Sequence, residues 1–300
     1  MSGSYLAYVF ERFPTFTQTF CIREVLEMER QGLTPVLFSI RDTSEEAVTN
    51  YPAELRERVH ALPPEKELVD KVKRLKQAGE LPQTVVLLLR HWGDRPDKLR
   101  IYEAAYIGHH LRELGGGRIR VRHAHSHFAG IGARVLWWLR RIHGVGYSFT
   151  GHANDLFCQL ESEVTPLLAG LVRDARFVAT VSDPSGAWLR KRSPKDAGKI
   201  HRVFNGIDLD GFPLSPGASA QGIGSRQIVS IGRLIEKKGF ADLIDACAIL
   251  RDRKIAFTCK IIGEGPLEEA LREAISSKDL KERVVLAGSL PSSEIHTLLL

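Results

Sequence analysis

The basic side chains with the clearest capacity for chemistry follow a strand-like segment near the end of the chain. Gly232 and Arg233 come directly after the apolar run 227–231, and Lys238 lies just before the amphipathic run 240–251. A strand that leads into the start of a helix offers backbone N–H groups and the positive end of the helix dipole. Nearby cations strengthen binding of a diphosphate. The sequence therefore predicts a phosphate site at Gly232, Arg233 and Lys238.

A second turn of the same kind follows the next strand-like run, 257–262. It contains Gly263, Glu264 and Gly265, and Pro266 is suited to the first position of a helix. The glycines permit close approach of the backbone to a ligand or to another loop. A lone Gly-x-Gly is equally typical of an ordinary strand-to-helix turn. The turn is therefore a donor-binding candidate only because it accompanies the first motif.

Histidines form the other reactive group. His123, His125 and His127 alternate, so on a strand their side chains project from the same face. Three such imidazoles can hold zinc with an open position for carbonyl or phosphate chemistry. Histidines at this period are also found in hydrogen-bonded and substrate-facing roles, and no fourth ligand is close in sequence. A metal site is therefore kept as the weaker alternative.

A further histidine and an aspartate follow the strand-like run 147–150. His152 and Asp155 come where that strand ends. Ligands of open α/β sheets collect at the carboxyl ends of the strands. The position favours a functional role for both residues over simple packing.

Charge and cysteine content narrow the classes of partner. The 42 basic and 36 acidic side chains give a net charge of +6, which suits anionic ligands, but no block of like charges resembles a nucleic-acid-binding tail. The four cysteines are scattered without a C-x-x-C pair, so we expect buried thiols instead of disulfides or a zinc–thiolate site. Neither a signal peptide nor an apolar run of spanning length is present, which predicts a cytoplasmic protein.

Strand-like and helical segments alternate along the chain, which predicts an α/β fold with parallel sheets covered by helices. Residues 53–114 form a longer stretch with a helical, charged pattern. The run 211–224 is rich in Gly, Pro and Ser, as a linker would be. We therefore predict a first domain over 1–210, a linker over 211–225 and a second domain over 226–300. The predicted strands lie at 6–10, 35–40, 119–124, 147–150, 177–181, 200–204, 227–231, 257–262 and 284–287.

The predicted second domain is short. About 75 residues is small for a doubly wound unit, and the run Leu298-Leu299-Leu300 would leave an apolar helix face without a partner. We therefore expect an incomplete second domain.

The order of these motifs resembles the family 4 retaining glycosyltransferases of bacterial exopolysaccharide and colanic-acid assembly. The similarity extends over nearly the whole chain. It is carried by the runs 13–20 with Glu24, 125–129, 148–155, 181–182, 203–208, 232–240 and 262–267.

The resemblance implies a GT-B architecture, with two Rossmann-like domains facing a cleft, and a retaining hexosyl- or N-acetylhexosaminyltransferase. Its donor would be a UDP- or GDP-linked sugar and its acceptor a glycan or a lipid-linked glycan, with neither cofactor nor metal. His152, Arg233 and Lys238 match catalytic positions. Donor binding would involve Gly232, Arg233, Lys238, Gly263, Glu264, Gly265 and Asn205, and the acceptor side would involve Thr17, Gln18, Thr19, His127 and Asp155. Asn205 is also typical of a turn that leads to a linker.

Two departures from the family bear on activity. The Glu-x7-Glu element, which contacts the donor sugar and ribose in the family, has no counterpart after His296. The first loop also offers threonines where many relatives have a pair of glycines. The resemblance therefore predicts a chain that keeps the diphosphate cations and lacks the sugar clamp.

A lipid-linked acceptor would bring the protein to the cytoplasmic face of the inner membrane. Trp137 and Trp138 lie beside Arg140 and Arg141, a combination suited to a peripheral contact, although packing of these tryptophans within the domain is the simpler interpretation. Three other functions stay open: a GT-B sugar-nucleotide epimerase, a histidine–metal hydrolase and a non-catalytic nucleotide-binding remnant.

Overall fold

The computed structural model describes residues 5–15, 18–45, 51–92, 97–157, 166–207 and 226–299. The chain divides into two compact units, Met1–Ile207 and Asp208–Leu300. Residues of the predicted linker, 211–225, lie outside the described part, so the predicted boundaries stay predictions.

A parallel sheet forms the centre of the first unit. Its strands lie in the order β3-β2-β1-β4-β5-β6-β7, and every described pairing is parallel. The strands are β1 (Leu6–Arg12), β2 (Val36–Arg41), β3 (Val59–Ala61), β4 (His123–His127), β5 (Gly146–Gly151), β6 (Phe177–Thr180) and β7 (Ile200–Arg202).

Helices cover both faces of this sheet, and the alternation of side chains along β1 shows why. Ala7 and Val9 are buried in one apolar layer, whereas Tyr8 and Phe10 are buried in the other. Burial on both faces is typical of a parallel strand. The helices are α1 (Thr19–Arg30), α2 (Ala53–Glu57), α3 (Glu65–Gln77), α4 (Gln83–Trp92), α5 (Lys98–Leu114), α6 (Ile131–His143), α7 (Ala153–Phe157), α8 (Pro166–Asp174) and α9 (Asp183–Arg192).

The strand order reverses between β1 and β4. The chain adds β2 and β3 on one side of β1 and then returns to add β4 to β7 on the other side. The loops that leave β1 and β4 therefore diverge and open a crevice at the carboxyl ends of these strands. His127, the last residue of β4, lies at this point.

The second unit repeats the pattern on a smaller scale. Its described sheet has the order β10-β9-β8, again parallel, from β8 (Gln227–Ile231), β9 (Thr258–Ile262) and β10 (Val284–Leu286). The helices are α10 (Phe240–Asp252), α11 (Glu268–Ser277) and α12 (Ser292–Leu299). The predicted α/β class with parallel sheets is confirmed.

Two sequence predictions were wrong in detail. A strand was expected at 119–124, but β4 begins at His123 because its ladder with β1 pairs Leu6 with His123 and Tyr8 with His125. Within 53–114, the short strand β3 was not anticipated, since three residues carry no usable pattern. Of the cysteines, Cys21, Cys247 and Cys259 are buried and free, as expected.

The tryptophans of α6 are engaged inside the first unit. Trp138 is buried, and the Trp137 indole N–H donates to Asp174 at 2.7 Å while Arg141 lies over its ring. Among helices of the described residues, none combines the length and apolarity that a bilayer crossing requires. Contact of these tryptophans with a membrane stays a prediction that the packing does not support.

Gly132 allows α6 to approach the sheet, and its replacement tests this packing. A Cβ at this position would meet the Ser126 hydroxyl and lie 2.8 Å from the Val9 carbonyl oxygen. We expect Gly132→Ala to lower the free energy of unfolding in urea by about 1–3 kcal/mol, because extra volume in a packed region forces backbone shifts. Gly198→Ala, where a Cβ meets nothing within 4 Å, should change it by no more than about 0.5 kcal/mol. Equal effects of the two substitutions would contradict the close approach.

Candidate active site

Two imidazoles meet where neighbouring strands of the first sheet end. His127 closes β4, and His152 follows β5, whose Thr150 is paired with His127. The Nδ1 of His127 lies 3.2 Å from the Nε2 of His152, within hydrogen-bond distance. The predicted residues His127 and His152 are therefore brought into contact.

A carboxylate from α1, which is not among the site residues predicted from the sequence, completes this group. The Nε2 of His127 is buried, makes no hydrogen bond within the described residues and lies 3.3 Å from Oε2 of Glu24. The other oxygen, Oε1, accepts a 2.6 Å hydrogen bond from the Tyr8 hydroxyl. The sequence signals for Glu24 are its position four residues after Phe20, in the helical stretch that follows the first strand, and its place beside the run 13–20 that carries the family resemblance.

Aromatic rings enclose both imidazoles. The ring of Phe10 stacks on His127 with an interplanar angle of 5°. Phe20 and Phe128 lie with their ring centroids 4.9 and 4.5 Å from that of His152. Phe128 adopts φ +72°, a left-handed conformation that is uncommon for a bulky residue and favoured at functional loops. These aromatic rings leave His152 only 9% exposed.

The other two strand histidines are bound to hydroxyl groups of β5. The Ser148 Oγ lies 2.7 Å from the Nε2 of His123 and 2.7 Å from the Nδ1 of His125. The Nε2 of His125 lies 3.0 Å from the Thr150 hydroxyl. Both ring nitrogens of His125 are therefore engaged, which is the usual arrangement of a buried, satisfied histidine.

The potential metal ligands of the described residues differ from the three histidines considered in the sequence. Glu24, His125 and His127 each offer a donor atom, and these atoms lie within 4.8 Å of one another. His123 is not part of this group. Zinc would require donors about 2.0–2.1 Å from the ion and would have to displace a hydroxyl partner of His125. The expectation of a metal-free site stays a prediction.

Burial sets the charges of the site. Desolvation lowers the pKa of His125 to about 3 and that of His152 to about 4, with His127 acting in the same direction. Burial alone raises the pKa of the Glu24 carboxyl, but His127 and the Tyr8 hydroxyl lower it to about 2. At neutral pH the site therefore holds an ionised carboxylate together with neutral imidazoles at His125 and His152.

Asp155 has a structural role at the same edge. Its Oδ2 accepts hydrogen bonds from the backbone N–H groups of Ala129, at 2.6 Å, and of His152, at 3.1 Å. It therefore connects the loops that follow β4 and β5. Burial raises its pKa to about 6, and Oδ1 is buried without a partner in the described residues.

The remaining acceptor-side candidates belong to the loop before α1. Gln18 is the residue before the helix, and its carbonyl oxygen accepts from the backbone N–H of Cys21 at 3.0 Å. The Thr19 hydroxyl accepts from Arg23 at 3.3 Å, and Arg23 also donates to the Gly206 carbonyl oxygen. Thr17 lies outside the described residues. Asn205 is exposed after β7 in the first unit.

In the second unit, the glycines bring the loops after β8 and β9 together. The backbone N–H of Gly232 donates to Ile262 at 2.9 Å, and that of Leu234 donates to the Glu264 carbonyl oxygen at 2.9 Å. A Cβ on Gly263, which has φ +137°, would collide with the Gly232 carbonyl oxygen, and one on Gly265 would lie 2.6 Å from that of Leu234. Gly263 and Gly265 are therefore required by backbone contact between the two loops.

Arg233 and Lys238 both project from the loop between β8 and α10. Both are exposed, and neither side chain forms an ion pair within the described residues. The sequence predicted a cradle of backbone N–H groups here, but those of Gly232, Leu234 and Lys238 donate to carbonyl oxygens of the unit. Asp242 also occupies the first turn of α10. Any anion at this loop would therefore meet the two side-chain cations and the first-turn N–H groups of α10, which have no acceptor within the helix.

Glu264, the third donor-side candidate, closes the same edge of the sheet. Its Oε1 accepts a 3.3 Å hydrogen bond from the backbone N–H of Ser289, after β10. The Gly263 N–H donates to the Gly288 carbonyl oxygen at 2.8 Å. The loops that follow all three described strands of the second unit are thus connected.

Comparison with known proteins gives a match for the second part of the chain. Residues 218–300 match the family described as "Glycosyl transferases group 1". The chain is also 31% identical over 179 residues to the putative colanic acid biosynthesis glycosyltransferase WcaL of Escherichia coli (strain K12), a stretch that covers 59% of this chain and 43% of that protein. It is 45% identical over 69 residues to the amylovoran biosynthesis glycosyltransferase AmsK of Erwinia amylovora, covering 23% of this chain and 17% of that protein.

A solved structure shares the fold. Alr3699/HepE of Anabaena, determined in complex with UDP, superposes with a TM-score of 0.62 at 15% identity, covering 97% of this chain and 71% of that one. The parallel sheets are therefore those of a GT-B fold. The chain spans less than half the length of the curated relatives named above.

The neutral state of His125 predicts a pH-dependent stability. Its pKa when folded is about 3, below the ordinary value of about 6.5, so the unfolded chain binds the extra proton and stability is lost as pH falls below 6.5. Between pH 7 and pH 5 this loss amounts to about 2 kcal/mol. We expect His125→Gln to lose less stability over that interval, by about 1–2 kcal/mol, in urea unfolding.

Comparing the pH dependence of stability in the parent and in His125→Gln separates the contribution of His125 from those of the other titrating groups. His143 and His152 act in the same direction as His125, whereas Asp155, with its raised pKa, acts in the opposite direction. All three remain in the variant. His201→Gln, which changes an exposed histidine, serves as the control. A pH dependence identical in the parent and in His125→Gln would contradict burial of a neutral imidazole.

Proposed function

We propose that this protein is a retaining glycosyltransferase of cell-surface polysaccharide biosynthesis. It would move a sugar from a UDP- or GDP-linked donor to a glycan or lipid-linked acceptor. The observation that carries the proposal is the loop of Arg233 and Lys238, two exposed cations at the carboxyl edge of a parallel sheet. This loop lies within the residues that match the glycosyl transferases group 1 family.

The cations suit the chemistry of the leaving group. In the proposed reaction the bond between the anomeric carbon and the diphosphate oxygen breaks, and a bond to the acceptor hydroxyl oxygen forms on the same face. The acceptor proton passes to the departing phosphate. Fixed positive charges near the diphosphate stabilise the negative charge that develops on it, without a divalent metal.

His152 is proposed to contact the reacting sugar. It lies at the carboxyl end of β5, beside the crevice where the strand order reverses. Because burial keeps its pKa at about 4, its ring is neutral at pH 7 and can accept a hydrogen bond from a hydroxyl group.

The relatives support the substrate class. WcaL and AmsK are described by their roles in colanic acid and amylovoran biosynthesis, and HepE was solved with UDP bound. A lipid-linked acceptor would require a cytoplasmic protein that reaches the membrane surface. Arg140, exposed at the end of α6, is the cation we assign to such a peripheral contact, because Arg141 is already engaged with Trp137 and Asp174.

The proposal is tested by incubating the protein with UDP- and GDP-sugars and lipid-linked acceptors and measuring released nucleotide and transferred sugar, with and without EDTA. Transfer that persists in EDTA with retained anomeric configuration is the expected result. Altered nucleotide sugar without acceptor use would indicate an epimerase, and activity restored only by zinc would indicate a metal hydrolase. Either outcome would overturn the proposal.

Removal of either cation should weaken nucleotide use. We expect Arg233→Ala and Lys238→Ala each to lower turnover by about 10²–10³, the range for loss of a preorganised charge stabiliser. Calorimetric titration with UDP and GDP measures the accompanying loss of binding. Arg253→Ala, at the other end of α10, removes the same charge and should leave both unchanged. An Arg233→Ala variant that behaves like Arg253→Ala would remove Arg233 from the site.

Replacement of His152 should separate binding from turnover. We expect His152→Gln to fold, to bind nucleoside diphosphate like the parent and to transfer sugar at least about tenfold more slowly, because it loses an imidazole at the reacting centre. Rates are corrected for the folded fraction measured by circular dichroism. Transfer at the parent rate would show that His152 is only structural.

A further inference from the structure

Glu24, His127 and His152 form a continuous polar chain from α1 to the end of β5. The carboxylate Oε2 lies 3.3 Å from Nε2 of His127, and the opposite ring nitrogen of His127 lies 3.2 Å from Nε2 of His152. No hydrogen bond reaches Nδ1 of His152 within the described residues. This row of three side chains therefore ends on Nδ1 of His152, a ring nitrogen that is available to a ligand.

The orientation of the Glu24 carboxylate is fixed at one oxygen. The Tyr8 hydroxyl donates to Oε1 at 2.6 Å, which leaves Oε2 to face His127. Because the carboxylate is ionised, it can only accept hydrogen bonds. Its charge favours a proton on the facing ring nitrogen of His127 and disfavours a lone pair there.

The position of the proton on His127 determines the position of the proton on His152. When both imidazoles are neutral, a proton on Nε2 of His127 leaves its Nδ1 as an acceptor. The Nε2 of His152 must then carry its own proton to donate to that acceptor, and Nδ1 of His152 keeps a lone pair. The opposite arrangement would place a lone pair of His127 against an ionised carboxylate.

Packing keeps the rings in these orientations. His127 is 3% exposed and packs against the rings of Phe10, at 5.9 Å, and Tyr8, at 6.3 Å, with interplanar angles of 5° and 19°. Phe20 makes an edge contact with His127 and also packs on His152. A ring flip of His127 would have to displace several buried aromatic side chains.

We propose that Glu24 and His127 are positioning residues that fix the tautomer of His152, so that Nδ1 of His152 is an unprotonated hydrogen-bond acceptor. The catalytic consequence rests on the proposed function, because it assigns that acceptor to a hydroxyl of the sugar or of the acceptor. The tautomer itself is a property of the protein without substrate.

Binding of a metal ion is the alternative role for the same side chains. It would occupy Nε2 of His127 and an oxygen of Glu24, together with a ring nitrogen of His125. The hydroxyl partners of both nitrogens of His125 favour the hydrogen-bonded chain over ligation. The two arrangements predict different ring-nitrogen resonances, since a metal would remove the proton from Nε2 of His127.

The test is nitrogen-15 NMR of the histidine rings in the full chain without substrate, at pH 8.5, well above the ordinary imidazole pKa of about 6.5. In the parent we expect the proton of His152 on Nε2. In Glu24→Gln the amide oxygen still accepts from Tyr8, so the amide N–H₂ faces His127 and donates to its Nε2. The proton of His127 then moves to Nδ1, and that of His152 also moves to Nδ1.

Glu27→Gln is the matched control. Glu27 lies on the same helix, is exposed and pairs with Arg30, so its replacement should leave the tautomer of His152 unchanged. A His152 proton on Nδ1 in the parent would overturn the proposal, and this measurement does not depend on how well a variant folds. An unchanged tautomer in folded Glu24→Gln, or parent resonances that shift on addition of EDTA, would overturn it as well.

Kinetics provide the second readout. If the protein transfers sugar as proposed, Glu24→Gln should lower kcat at least about tenfold with little change in KM for the nucleotide sugar, because a wrong tautomer impairs the reaction more than binding. An unchanged kcat alongside a switched tautomer would overturn the catalytic part. A parent protein that transfers no sugar would contradict the proposed function instead, and the tautomer measurement would still decide the role of Glu24.

Discussion

The first unit depends on burying imidazole groups without burying their positive charge. A charged histidine in an apolar layer would cost several kcal/mol, so burial holds His125 and His152 neutral. A neutral ring still needs hydrogen-bond partners at its nitrogens. Ser148 and Thr150 supply these partners to His125 from the adjacent strand, in register.

The same requirement shapes the edge where the strand order reverses. The rings of His127 and His152 lie within hydrogen-bond distance of one another there. Oε2 of Glu24 faces His127 from α1, and the Tyr8 hydroxyl donates to Oε1 of the same carboxylate. Asp155 then fixes the backbone of both loops through the N–H groups of Ala129 and His152. The crevice of an ordinary parallel sheet thereby becomes a site with defined donors and acceptors.

The second unit differs from the first in how its loops are held and in where its charged side chains lie. Its loops meet through backbone contacts that only Gly263 and Gly265 allow, and its cations remain exposed. An exposed guanidinium or ammonium group keeps its charge and is available to an anion.

Much of this arrangement could be predicted from the sequence, for physical reasons that differ between elements. The apolar runs of β8 and β9 and the glycines after them follow local rules, so their strands were placed within one residue. The start of β4 was misplaced because residues 119–122 alternate apolar and polar side chains like a strand, whereas the pairing of Leu6 with His123 that begins the ladder cannot be seen in the sequence. Glu24 was missed as a site residue because its partners, Tyr8 and His127, are distant in sequence and meet only through the sheet.

The most direct measurement is a crystal structure of the protein with a UDP- or GDP-linked sugar bound. We expect diphosphate oxygens within hydrogen-bond distance of Arg233 and Lys238 and no metal ion at Glu24. A diphosphate bound away from both cations, or a metal ion ligated by His125 and His127, would contradict the assignment of the site.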